Sequence, residues 1–91
     1  MSELAITSEE IHFVFAGRLR TGSFVEFACH RAARLGLKID VAQASGEAVA
    51  LNVWGAADLV DAFEMACSLG PYDCLVLDVA RHRSAWRPDG G

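Results

Sequence analysis

The chain alternates between apolar and polar residues near its start and then changes to a helical spacing. Over residues 10–19 every second position is apolar, which predicts a strand with His12 on its outer face. Over residues 23–35 apolar residues recur every three or four positions, which predicts a helix. Ser23 is the expected N-cap and Gly36 the residue after the last turn, because a short hydroxyl side chain caps first-turn N–H groups and glycine tolerates a left-handed backbone.

The rest of the chain predicts two more strands, a second helix and a final strand. Residues 37–43 and 47–54 are β-capable runs, and only Ala-Ser-Gly separates them, which is short enough for a hairpin. An apolar helical stripe covers residues 56–69 and ends at Gly70. Residues 72–80 are rich in valine and leucine and form the last predicted strand.

The order of these elements predicts the fold class. Each helix has one apolar face, and right-handed crossovers place both helices on the same side of a sheet. The expected architecture is α+β: a ferredoxin-like βαββαβ sandwich, with a four-stranded antiparallel sheet and two helices on one face. We expect residues 1–91 to form a single domain, with a core over about 9–81 and a flexible tail over 82–91.

Composition and charge exclude several functional classes. The chain is 53% hydrophobic and 22% charged, which indicates a packed domain rather than a disordered one. Its net charge of −4 predicts no binding of nucleic acid. No apolar run approaches the ~20 residues of a membrane span, and the N-terminus has acidic residues where a signal peptide would be basic. We therefore expect no membrane partner and a cytoplasmic location.

The three cysteines predict free thiols. Cys29, Cys67 and Cys74 are odd in number and show no CxxC or Cys/His spacing of the kind that holds zinc. We expect reduced thiols, two of them buried. No metal and no cofactor are predicted.

Residues spread over most of the chain resemble the acylphosphatase family. In that family the first strand ends in G-R-V-Q-G-V-x-F-R-x-F, the first helix leads to A-x-x-L-G-L-x-G-W-V-x-N, and the second helix ends in F-x-x-x-L-x-x-G-P-x-x-A-x-V-x-x-V. The matching residues here are Gly17, Arg18, Leu19, Phe24, Phe27, Ala32, Leu35, Gly36, Leu37, Val41, Phe63, Gly70, Pro71, Val76 and Val79. No single match is specific, but the set in one register is. The resemblance implies the ferredoxin-like fold and hydrolysis of acyl phosphates.

The resemblance also implies two functional positions, and both are substituted in this chain. In the family, an arginine that follows the phenylalanine of the loop binds phosphate, and an asparagine at the end of the second strand positions the attacking water. The arginine position holds Val25, which has neither a donor nor a charge. The asparagine position holds Gln43, counted forward from Leu37 or backward from Gly55, and its extra methylene moves the amide by about 1.5 Å. Efficient acylphosphatase activity is not expected.

The turn before the first helix still predicts an anion site, because backbone N–H groups at a helix N-terminus attract negative charge. The family's first loop glycine is replaced by Thr21, which would resist a positive φ, whereas Gly22 allows a different wrap. Arg20 either lends charge to the loop or is simply solvated. The candidate ligand is phosphate or another small anion. The candidate anion-binding residues are Arg18, Arg20, Thr21, Gly22, Ser23 and Phe24.

The sheet face away from the helices predicts a second kind of surface. Val14, Trp54, Leu75 and Leu77 are expected there as candidate interface residues. The face is either ordinary exposed apolar surface or the interface of a homodimer or another partner. The family's last short strand is expected to be short or missing, which would leave a sheet edge open.

Three functions follow from these observations. The favoured hypothesis is an acylphosphatase-like domain without efficient activity that serves as an anion-binding or protein-interaction module. The second is a divergent acylphosphatase that uses Arg18 or Arg20 together with the Gln43 amide. The third is a homodimeric structural module assembled through the open sheet face.

Overall fold

The computed structural model describes residues 8–83, and the predicted α+β ferredoxin-like fold is confirmed. Four strands and two helices follow in the expected order. They are β1 (Ser8–Arg18), α1 (Thr21–Arg34), β2 (Lys38–Ala44), β3 (Ala48–Ala56), α2 (Ala57–Leu69) and β4 (Leu75–Arg83).

The strands form one antiparallel sheet in the order β2-β3-β1-β4. Strand β1 lies between β3 and β4, so Phe13 is paired with Leu51 on one side and with Arg81 on the other. The pairing shifts by one residue in β2, between Val41 and Gln43, and in β4, opposite the step from Ala16 to Gly17. Such bulges bend a strand and re-aim its side chains.

The core lies between the sheet and the two helices. The buried apolar residues come from alternate positions of β1 and β3, from one face of each helix, and from Leu19 and Leu37 in the connections on either side of α1. Phe13, Phe15, Phe24 and Phe63 are fully buried, and their rings pack with centroids 5.3–5.9 Å apart. Each such ring contributes on the order of 1.5–3 kcal/mol through burial, so the four rings anchor both helices to the sheet.

Helix α1 begins two residues earlier than the sequence predicts, and Ser23 is not its N-cap. Arg20 occupies the N-cap position with an extended backbone and no capping side chain, and its carbonyl accepts the Phe24 N–H at 2.8 Å. The C-terminal prediction is confirmed. Gly36 has a φ of +72°, and the following N–H, that of Leu37, reaches back to the Ala32 carbonyl at 2.8 Å.

Strand β4 begins three residues later than predicted and extends to Arg83. The Cys74 N–H donates to the Pro71 carbonyl at 3.0 Å, so the residues before the strand form a turn. At the other end, His82 is paired with His12 in the sheet, within a segment that was expected to be a flexible tail. Residues 84–91, and with them the question of a further edge strand, lie outside the described residues.

Arg81 links α2 to the sheet on the helix side. Its guanidinium forms ion pairs with Asp61 at 2.9 Å, with Glu64, and with Glu9 at 3.7 Å, and it lies over the Phe13 ring. Burial by itself would lower the pKa of Arg81, but the hydrogen bonds to Glu64 and Asp61 and their charges raise it above its usual range. The cluster ties the second helix to β1 and β4.

Only one cysteine is buried, so the prediction of two buried thiols is wrong. Cys67 is fully buried on α2, whereas Cys29 and Cys74 are partly exposed. Burial raises the pKa of the Cys67 thiol to about 12. Neither described helix is long and apolar enough to cross a membrane. The cytoplasmic location stays a prediction.

Candidate functional site

The turn from β1 into α1 is held by the hairpin between β2 and β3. The N–H groups of Gly17 and Leu19 donate to the carbonyls of Glu47 and Gly46, each at 2.9 Å. Gly17 has a φ of +156°, and a Cβ added there would lie 2.1 Å from the carbonyl oxygen of Leu75. Strand β4 therefore passes too close for any side chain, and glycine is required where the strand turns toward the helix.

The first turn of α1 presents backbone donors. The Arg20 N–H donates to Cys74 Sγ at 3.3 Å, and no side chain caps the helix. The N–H groups of Thr21, Gly22 and Ser23 lie in the first turn, where an α-helix offers no internal acceptor. Thr21 and Gly22 both belong to the helix and have negative φ. The positive φ that Thr21 would resist and the different wrap that Gly22 would allow are therefore both absent.

A carboxylate lies at this helix end. Ser23 Oγ donates to Asp73 Oδ1 at 2.9 Å, so Asp73 lies beside the first-turn N–H groups. Asp73 also lines an open groove of about 460 Å³ together with Arg18, Arg20 and Glu47. The negative charge complements the helix dipole. The groove carries two carboxylates, those of Glu47 and Asp73, beside its two guanidinium groups.

Phe24 and Val25 are parts of the packed helix. Phe24 is fully buried, and its N–H is engaged with the Arg20 carbonyl. Val25 is partly buried and packs against the core. The position expected to carry a phosphate-binding guanidinium is therefore an aliphatic contact.

Gln43 lies on the face of the sheet that points away from the helices. After the register shift in β2 it is paired with Ala50, which alternates with the buried residues Val49 and Leu51. Paired residues of an antiparallel ladder share a face, so Gln43 is on the face away from the helices and it is exposed. Val25 is on the helix side. The strand register therefore places Gln43 on the face of the sheet opposite the core that Val25 packs against.

Structural comparison gives the decisive observation about the fold. An acylphosphatase from Coxiella burnetii matches with a TM-score of 0.78 over 88% of this chain and 84% of that chain, at 22% sequence identity. An acylphosphatase from Bacillus subtilis matches with a TM-score of 0.77 over 90% of each chain, at 18% identity. The chain has the acylphosphatase fold. No family model and no curated protein matches the sequence.

The register places Val14, Trp54 and Leu75 on the open face of this acylphosphatase fold, and Leu77 is the extra residue at the β4 bulge. Val14 and Trp54 are partly buried by their neighbours in the sheet, whereas Leu75 and Leu77 are 53% and 67% exposed. Val14 is flanked by Ala50 and Ala80 in the register of the sheet. This row forms an apolar strip with no helix over it among residues 8–83.

Sequence reasoning missed Asp73 and Cys74 as parts of the loop site. Both precede β4, and β4 is antiparallel to β1, so the start of β4 lies beside the end of β1. Antiparallel pairing of the predicted first and last strands would have placed this turn against the N-terminus of α1. The sequence does not show that the Asp73 carboxylate in particular faces Ser23.

Proposed function

We propose that this chain is an acylphosphatase-fold domain without efficient acylphosphatase activity, acting as an anion-binding or protein-interaction module. The observation that carries the proposal is the aliphatic Val25, which packs against the core where turnover calls for a fixed positive donor. Charge on phosphoryl oxygens is stabilised by preorganised donors, and removal of one typically costs ~10²–10³ in rate.

The remaining groups do not replace the missing guanidinium. The first turn of α1 offers backbone N–H groups, but Asp73 accepts a hydrogen bond from Ser23 beside them. Arg18 and Arg20 are exposed, and they share their groove with two carboxylates. A divergent enzyme that uses Arg20 is the alternative, and it requires that arginine to face a bound acyl phosphate.

Hydrolysis of benzoyl phosphate tests the proposal directly. The expected rate with the native chain equals the buffer rate. Because Gln43 lies on the opposite face of the sheet, any turnover that substitution recovers should come from Val25→Arg. Adding Gln43→Asn to that variant should leave the rate unchanged. Val25→Gln is the matched control, since it has a polar side chain without the charge.

Two outcomes would overturn the proposal. Native hydrolysis well above the buffer rate that Gln43→Ala abolishes would show that the amide works from its present position. Native hydrolysis that Arg20→Ala abolishes, with the circular dichroism spectrum unchanged, would establish the divergent enzyme.

A homodimer assembled through the open face is the second candidate. Its specific support is the apolar row around Val14, together with the exposed Leu75 and Leu77. Sedimentation equilibrium is expected to show a dimer that Leu77→Asp dissociates, because a carboxylate is costly to bury at an apolar interface. Met65→Asp is the matched control, since Met65 is 70% exposed on α2. A monomer at the highest accessible concentration removes this candidate.

A further inference from the structure

A polar row crosses the open face of the sheet beside the apolar row. Asp40 in β2 is paired with Asn52, Asn52 with His12, and His12 with His82 in β4. Directly paired residues share a face and have Cβ atoms about 4.5–5.5 Å apart. Two of the three histidines in the chain are therefore neighbours on adjacent strands. We propose that His12 and His82 form a binding site for a divalent transition-metal ion.

The hydrogen bond of His12 leaves the other ring nitrogen for a ligand bond. His12 Nδ1 lies 2.8 Å from Asn52 Oδ1. An amide oxygen only accepts, so Nδ1 carries the proton and Nε2 keeps its lone pair. Metal-binding histidines typically donate their second ring N–H to a carbonyl or carboxylate, which orients the ring. Asn52 supplies this contact to His12.

The spacing of adjacent strands suits two imidazoles on one ion. Zinc–nitrogen bonds are about 2.0–2.1 Å long, so two nitrogen ligands of a tetrahedral ion are about 3.3 Å apart. Rings that start from directly paired backbone positions reach this separation with ordinary side-chain rotations. His82 is exposed and His12 is partly exposed, so an ion reaches the pair from solvent.

The surrounding charge also favours a cation. Glu10 lies on the same face in the neighbouring row, and Asp40 is the β2 member of the polar row itself. Among residues 8–83, Lys38 is the one basic residue next to them in the register. Arg81 and Arg83 are paired with the helix-facing residues Phe13 and Ile11, so they project to the other face. No group of three or more His, Cys, Asp or Glu suited to a metal occurs among residues 8–83, so water completes the coordination of a two-histidine site.

Imidazole ligands suit Ni²⁺, Cu²⁺ and Zn²⁺, whereas the thiols of Cys29 and Cys74 would compete for Zn²⁺ and for copper. Ni²⁺ alone is therefore the probe. Titration is followed by calorimetry and by paramagnetic broadening of backbone amide signals, which reports where the ion binds. We expect the amides of His12, Asn52 and His82 to broaden first.

The variants separate this site from other metal contacts. His12→Gln and His82→Gln are each expected to weaken Ni²⁺ binding at least about tenfold, and Asn52→Leu about tenfold, because it removes the contact that orients His12. His30→Gln is the matched control, because His30 is exposed on α1, away from the pair. This substitution is expected to leave the Ni²⁺ affinity unchanged.

His12 is partly buried, so His12→Gln can disturb folding. His82 is exposed, so His82→Gln tests the site without that complication. Affinity that survives His82→Gln, or first broadening near His30 or the cysteines, would overturn the proposal.

Discussion

Replacement of Asp73 by asparagine is expected to strengthen binding of phosphate at the N-terminus of α1. Asp73 Oδ1 lies 2.9 Å from Ser23 Oγ, so an anion bound to the first-turn N–H groups would be about 4 Å from this carboxylate. Two unit charges at that distance interact by about 1 kcal/mol in a water-like dielectric. Phosphate carries between one and two negative charges near neutral pH, so the variant gains about 1–2 kcal/mol, or about 5- to 30-fold in affinity.

The assay is a phosphate titration at low ionic strength, followed at the backbone amides of residues 20–24. Asp58→Asn is the matched control. Asp58 is an exposed carboxylate in the first turn of α2, at the opposite end of the sheet, and its removal changes the net charge equally. The gain in Asp73→Asn should shrink as salt is added, because the Debye length falls to about 10 Å at 0.1 M.

An equal gain in both variants would show that net charge alone controls anion binding. No gain in Asp73→Asn would refute the reasoning that this carboxylate lies in the path of the anion. Amides that do not respond in either protein at millimolar phosphate would remove the anion-binding half of the proposed function and leave the interaction half.

Three further predictions concern the stability of the fold. In urea unfolding, Gly17→Ala should lower the free energy of unfolding by about 1–3 kcal/mol, because the added Cβ would clash with the Leu75 carbonyl. Gly22→Ala should instead raise it by about 0.5–1 kcal/mol, because Gly22 is helical and has open space around it. Equal effects of the two changes would contradict the close approach of β4. The Cys67 thiol has its ordinary pKa of 9.0 in the unfolded chain, whereas burial raises that pKa to about 12 in the folded chain. The stabilisation of the folded state that comes from keeping this thiol neutral is therefore complete below pH 9 and is lost as the pH rises toward 12. Stability should therefore fall by about 1.4 kcal/mol per unit over that window relative to Cys67→Ala, and parallel pH profiles would refute this. Arg81→Met should lower the free energy of unfolding by about 1–2 kcal/mol and abolish most of the salt dependence of the urea midpoint, because the carboxylates around Arg81 lose their cation. An unchanged salt dependence would show that the ion pairs of Arg81 contribute nothing measurable to stability.

The sequence predicted the elements well because their signals are local. Alternation around Phe13 and helical spacing around Phe24 report which positions are buried, and burial dominates the energetics of a small domain. The start of α1 was predicted poorly, because Ser23 is a strong N-cap residue by propensity. In the folded chain its hydroxyl donates to Asp73 instead, and Arg20 starts the helix through its carbonyl.

The candidate site was predicted only in part. Val25 can be recognised without any structure, because the absence of a guanidinium depends on residue identity alone. The face occupied by Gln43 could not be predicted, since one bulge in β2 changes which side of the sheet a residue joins.

The amino-acid sequence by itself determined the order of strands and helices, the apolar positions of the core and the missing donor at Val25. These properties depend on side-chain chemistry and on spacings within one element. The tertiary structure decided that Asp73 lies at the start of α1 and that His12 lies beside His82. Both contacts join residues far apart in the chain, and strand register fixes them only when the whole sheet is packed against its helices.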